Sequence, residues 1–201
     1  MAADPAQPVG PAELESSRPL NVRAFFGLPI PESHRYEVGR FITGCAAAAP
    51  TFRWTPVSNL HLTVRFIGSV ERETVDLIAD RVGAVAPAGF ELALGDLGTF
   101  KRGRLVRVVW VGLRSGAEAA AALAALVEAE CLRAGLVGEA RAFQAHLTLA
   151  RARPREGSML PPLPPAPHLG PWRATELVLY SSHLSRAGAV YEPIRALPLT
   201  S

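Results

Sequence analysis

Apolar residues recur along the chain with two periods, and the alternation between them outlines a fold. Asn21-Val-Arg-Ala-Phe-Phe-Gly-Leu28 is a short apolar run closed by Pro29 and reads as a strand. Pro31-Glu32-Ser33 opens a helical pattern that continues to Ala49. Pro50 and Pro56 bracket an irregular link containing Trp54. Leu60 to Ile67 is β-branched and apolar, the signature of another strand. Glu71 to Val85 returns to the helical period, with Val75, Ile78, Ala79 and Val82 on one face. Phe90 to Leu97 and Leu105 to Leu113 read as strands, Gly116 to Ala134 as an Ala/Leu-rich helix, and Phe143 to Ala150 as a strand. Glu156 to Pro171 holds six prolines, which cannot sit inside a ladder, and reads as a loop. Glu176 to Leu184 and Val190 to Leu197 complete the strands. Residues 1–18 show no apolar period and are expected to form a disordered tail ahead of one domain over 19–201. Helices mixed with hairpins favour an α+β fold over a doubly wound parallel sheet.

Composition narrows the class. Hydrophobic residues make up 49% of the 201, enough to bury a core, yet no apolar stretch approaches the roughly 20 residues of a membrane span. A net charge of +3 excludes a polybasic nucleic-acid coat. Lys101 is the single lysine beside 20 arginines. Arginine is the better bidentate phosphate partner, though a GC-rich genome produces the same skew together with the many alanines. Cys45 and Cys131 make no disulfide framework and no metal-type spacing, so reduced, buried thiols are expected. The N-terminus lacks a basic region followed by an apolar run, so a cytoplasmic protein without a membrane partner is expected, and a monomer.

One short pattern occurs twice. His61-Leu62-Thr63-Val64 lies inside one expected strand and His146-Leu147-Thr148-Leu149 inside another. With nine threonines in the chain, two chance His-x-Thr hits among five histidines are on the order of 2%. Side chains alternate along a strand, so His61 and Thr63 share one face while Leu62 and Val64 share the other, and the second copy repeats this. Two such strands meeting in a cleft present two imidazoles and two hydroxyls to one ligand. That set suits phosphodiester chemistry. A neutral imidazole can take a proton from water, an imidazolium can protonate a leaving alkoxide, and hydroxyls can bind nonbridging oxygens. A metal site would want a third ligand near the pair, and neither strand supplies one, so no metal or cofactor is expected.

These motifs resemble those of the two-histidine phosphoesterase superfamily, marked by two His-x-Thr-x runs. The text around them is similar to the branch of RNA 2′,3′-cyclic phosphodiesterases, also called 2′-5′ RNA ligases. The similarity includes Arg23-Ala-Phe-Phe-Gly-Leu28, Trp54, Asn59 through Gly68, Phe143 through Arg151, Trp172 and Glu176 through Ser182. Ala145 stands where that branch commonly has proline, which removes no catalytic group. The resemblance covers about residues 21–199. It implies two pseudo-symmetric lobes, each an antiparallel sheet with outer helices, with the motif strands lining a central cleft. It also implies His61 as proton donor to the leaving ribose oxygen, His146 as acceptor from water, Thr63 and Thr148 as phosphate ligands, and an RNA 2′-phosphate as product. The reverse reaction would join a 5′-hydroxyl to the cyclic phosphate.

Strand parity places Arg65 with His61 and Thr63, as a further phosphate ligand. Arg151 has the opposite parity to His146 and reaches the cleft only if its strand ends or bulges, although the resembled motif often carries arginine there. Lys101, Arg102, Arg104 and Arg107 form a basic cluster at a turn, read as a solvated turn or as a track for an RNA backbone. Phe25, Trp54, Phe66 and Phe143 are candidates to stack a base or to fill the core, and Arg153 and Arg155 to touch flanking nucleotides. His34, His168 and His183 lack the threonine partner and read as structural. Two other functions fit the same residues: a phosphodiesterase acting on a small cyclic nucleotide or 2′-5′ oligonucleotide, and a non-catalytic RNA-end binder.

Overall fold

The computed structural model describes residues 21–185 and 188–200. The tail assigned to residues 1–18 lies outside the described residues.

Nine strands and three helices follow in chain order among these residues. They are β1 (Asn21–Pro29), α1 (Glu32–Ala46), β2 (Phe52–Trp54), β3 (His61–Glu71), α2 (Arg72–Val85), β4 (Phe90–Arg102), β5 (Leu105–Ser115), α3 (Ala117–Arg133), β6 (Leu147–Ala152), β7 (Trp172–Ala174), β8 (Glu176–Ser185) and β9 (Gly188–Pro198). The strands run antiparallel in the order β7-β4-β5-β6-β3-β1-β8-β9, with β2 on β6. The two motif strands β3 and β6 are therefore central. They join two half-sheets, β3-β1-β8-β9 and β6-β5-β4-β7, through a single ladder pair, Leu62↔Leu147. Beyond that pair β2 takes over the edge of β6, with Trp54 opposite Ala150 and Arg53 opposite Arg151.

The alternation read from the motifs decides which face is which. Leu62, Val64, Phe26 and Leu28 are buried against Val75, Ile78 and Val82 of α2 and against Leu123 and Val127 of α3. Leu147 and Leu149 join the same core. Each large buried aliphatic side chain is worth about 1.5–3 kcal/mol. A one-residue slip would exchange Leu62 and Val64 for His61 and Thr63 in that core, so the register is strongly specified. A smaller cluster of Phe52, Val106, Val109 and Ala150 lies under β2, and Leu160 and Leu163 of the proline-rich loop pack on it. α1 packs on β2, while α2 and α3 lie side by side against β3.

Several boundaries differ from expectation: the strand expected to end at Ile67 runs to Glu71, and the one expected to end at Leu97 runs to Arg102. The first helix stops at Ala46 rather than Ala49. The strand expected from Phe143 begins only at Leu147, because residues 143–146 run beside the cleft without a ladder partner. β2 and β7, three residues each, arise inside the link and at the end of the proline-rich loop. Such short edge strands form by pairing with β6 and β4, a nonlocal effect that leaves no periodic signal.

Candidate active site

The motif strands supply the floor of a cleft of about 510 Å³. His61, Thr63, His146 and Thr148 all line it. Each imidazole is held by the same local device. His61 Nδ1 donates to the Asn59 carbonyl at 2.7 Å, and His146 Nδ1 donates to the Gln144 carbonyl at 2.7 Å. A carbonyl can only accept, so Nδ1 carries the proton in both rings and Nε2 is left for chemistry. Asn59 is itself anchored, its Nδ2 donating to the Ala189 carbonyl at 2.6 Å. In the neutral ring His61 Nε2 accepts from the Thr63 hydroxyl at 2.9 Å.

Aromatic walls set the dielectric around the two rings. Phe25, Tyr191 and Tyr180 lie 4.7, 5.2 and 5.9 Å from His61, and Phe100 and Trp110 lie 5.0 and 6.0 Å from His146. Gly27 of β1 makes the first packing possible, since a Cβ there would sit 3.2 Å from His61 Cδ2. Burial pushes the His61 imidazole down to about 4, against its bond to Asn59, and the Arg151 guanidinium and His146 push it the same way as burial. Burial also lowers His146, opposed by its bond to Gln144 and aided by Arg151. Both rings are therefore neutral near pH 7 in the free protein.

The bulges decide which arginine reaches the cleft. In β3, Gly27 faces Thr63 and Phe26 faces Arg65, so Val64 is an extra residue and parity flips after it. In β6, Trp110 faces Thr148 and Val109 faces Ala150, so Leu149 is extra at the equivalent place. Five residues beyond each histidine the chain thus returns to the cleft face, at Phe66 in one strand and Arg151 in the other, and both line the cleft. Arg65 requires a correction. Its expected place beside His61 and Thr63 assumed unbroken alternation, whereas the Val64 bulge turns it to the face of buried Phe26. There it is 6% exposed. Its guanidinium is consumed by Glu128, by Glu139 at 2.9 Å, and by the Phe66 and Val137 carbonyls.

Two cationic residues of the cleft fall outside the motif strands: Arg53 of β2, inside the link that Pro50 and Pro56 bracket, and Arg153, just past β6. Among the described residues no aspartate or glutamate lines the cleft. Among the other aromatics, Trp54 borders the cleft and donates from Nε1 to the Ala49 carbonyl at 3.3 Å. Phe66 is 36% exposed, with the Arg23 guanidinium 4.8 Å over its ring. Phe143 packs half-buried on the main core. Lys101, Arg102, Arg104 and Arg107 lie exposed around the β4–β5 turn, outside the cleft lining. His34 binds the Gly170 carbonyl at 2.8 Å, His168 meets Arg114, and His183 meets Ser181; none of these three histidines lines the cleft. Cys45 and Cys131 are free and buried. Among the described residues no helix is long and apolar enough to cross a membrane, and no three His, Cys, Asp or Glu side chains gather as a metal site.

Comparison with known proteins places this geometry. The profile of the LigT like phosphoesterase family matches twice in tandem, over residues 28–110 and 111–191. The RNA 2′,3′-cyclic phosphodiesterase of Escherichia coli strain K12 is 31% identical over 180 residues, 89% of this chain and 97% of that one. The protein of the same name from Methanothermobacter thermautotrophicus is 28% identical over 188 residues, 90% of this chain and 100% of that one. The crystal structure of E. coli LigT complexed with 3′-AMP superposes with a TM-score of 0.79 at 28% identity, covering 90% of this chain and 100% of the other. The family profile spans both lobes and each of its two matches contains one His-x-Thr strand, so the chain belongs to the LigT-like phosphoesterase family.

Proposed function

We propose that this protein opens RNA 2′,3′-cyclic phosphate ends to 2′-phosphomonoesters, working as a cytoplasmic monomer without a metal. One observation carries the reading. Two imidazoles, each fixed through Nδ1 to a backbone carbonyl, share a cleft that also holds Thr63, Thr148 and Arg151 and, among the described residues, has no carboxylate in its lining. The names of the relatives point to the same substrate.

In this reading the phosphate anion binds against Arg151, offsets its effect on the rings and by its own charge favours an imidazolium beside it, so one imidazole is protonated in the complex. His146 Nε2 takes a proton from the attacking water as the water oxygen bonds to phosphorus. His61, protonated, gives its Nε2 proton to the 3′ oxygen as the P–O3′ bond breaks, leaving a 3′-hydroxyl and a 2′-phosphate. Charging His61 turns Nε2 into a donor, which releases the Thr63 hydroxyl to donate to a nonbridging oxygen. Thr148 provides the second hydroxyl.

The test is an RNA carrying a 2′,3′-cyclic phosphate, with the product's phosphate position read by phosphorus NMR. A 2′-phosphate is expected, in the presence of EDTA as in its absence. Replacing either His61 or His146 by alanine should reduce kcat by at least about 10²–10⁴-fold, the usual scale of general acid–base catalysis. A 3′-phosphate product, loss of activity in EDTA, or full activity of either variant would overturn the reading.

A further inference from the structure

We propose that Arg53 and Arg153 form a second phosphate subsite beside the reacting phosphate, and that it takes the phosphate on the 5′ side of the terminal nucleotide. The inference rests on the reaction proposed above and adds to it a preference for how the substrate continues. Arg53 and Arg151 are direct partners across the β2–β6 ladder. Like charges directly opposite each other destabilise a strand pair unless something between them is negative. Arg153 follows two residues after Arg151. Its backbone N–H donates to the Thr51 carbonyl at 2.9 Å, which extends the β2 pairing past the end of β6. Two residues of strand span about 6.6–6.8 Å, of the same order as the step between neighbouring phosphates in a nucleic acid strand.

The charges are free to act. Among the described residues none of the three arginines makes an ion pair, and no carboxylate lines their cleft. Arg153 is held by its Nε, which donates to the Pro50 carbonyl at 3.2 Å and leaves the terminal nitrogens to the cleft. Arg151 acts on both imidazoles and so belongs to the reacting phosphate. Arg53, opposite Arg151 on β2, and Arg153, two residues beyond it, line the same cleft. Three guanidiniums exceed what one phosphate monoanion requires. A nucleotide chain entering past Trp54 would place its next phosphate against the outer two.

The experiment compares two product-like ligands, adenosine 2′-phosphate and adenosine 2′,5′-bisphosphate, by titration calorimetry, which needs no turnover. The bisphosphate should bind the unaltered protein at least about tenfold more tightly at 50 mM salt, with the advantage eroding at 200 mM. Arg53→Met and Arg153→Met should each bring the ratio of the two dissociation constants toward one. Both side chains are exposed, so neither substitution threatens the core. A ratio near one in the unaltered protein, or a ratio that neither substitution moves, overturns the proposal. Failure to turn over any cyclic phosphate, with the ratio intact, instead defeats the proposed reaction and leaves the subsite standing.

Discussion

Replacing Arg65 by methionine separates the two places this arginine could occupy. On the cleft face its loss would weaken substrate binding. In the structure it is a buried clasp between β3, α3 and the chain leading to His146. Its side chain is 7% exposed, and its partners Glu128 and Glu139 are 25% and 48% exposed. Removing one partner of a buried ion pair costs about 3–5 kcal/mol, because the other charge is left in a poor environment. Two facts favour the lower end. Glu128 keeps a hydrogen bond from the Glu139 backbone N–H at 2.8 Å and can draw in water, and the half-exposed Glu139 contributes little. About 3 kcal/mol corresponds to a fall in Tm of about 6–12 °C for a domain of this size. Adding Glu128→Leu to Arg65→Met removes the stranded charge and should recover most of the loss. Calorimetric or dichroism melts of the two single variants and the double variant supply the cycle. At a temperature where all are folded, KM for a cyclic phosphate should stay within about threefold for Arg65→Met. A tenfold rise in KM with an unchanged Tm would refute the buried clasp.

Four other outcomes are expected. Both imidazoles of the free protein titrate below the ordinary histidine value, so kcat/KM, which needs one of them charged, should peak on the acid side of pH 6.5 and fall about tenfold per pH unit above it. Arg151→Met should move both histidine titrations upward by NMR, and an optimum above pH 7.5 or unmoved titrations would contradict the assignment. The same lowering links to stability. His61 titrates near 4 when folded and near 6.5 when unfolded, so its contribution is present above pH 6.5 and is lost as the pH falls toward 4, by at most about 3 kcal/mol. Denaturant titrations at pH 7 and pH 4.5 should show this loss shrinking in His61→Gln, and an equal loss in both proteins would count against it. Gly98→Ala would drive a Cβ to 2.1 Å from the Trp110 ring, which packs beside His146. It should cost about 1–3 kcal/mol and perturb the tryptophan near-UV dichroism, and an unchanged spectrum would show that the ring has room.

The paired histidines and their faces were legible because period-two alternation in Leu62, Val64, Leu147 and Leu149 is a local property, and the core holds those residues to it. What escaped was whatever depended on partners distant in sequence. Arg65 was misplaced because a bulge is set by the strand alongside, and nothing in His61 through Phe66 announces that Val64 is the extra residue. The same event at Leu149 delivers Arg151, whose parity needs a bulge to reach the cleft. Arg53 went unnoticed because β2 exists only by pairing with β6, inside a segment that two prolines made look irregular.

The single ladder pair between β3 and β6 has a mechanical consequence. Elsewhere adjoining strands share at least three ladder pairs, and β8 and β9 pair all the way from Glu176↔Pro198 to Ser185↔Gly188. At Leu62↔Leu147 the two half-sheets are joined by the narrowest backbone seam in the sheet, one residue away from each histidine. Side chains also connect the two halves there: α3 lies on β3, and Arg65 binds Glu128, Glu139 and the Val137 carbonyl. A seam this narrow should let the spacing of the two imidazoles adjust as one bond lengthens and another shortens. Compliance of this kind would show as faster amide exchange at the seam than in the ladders on either side of it.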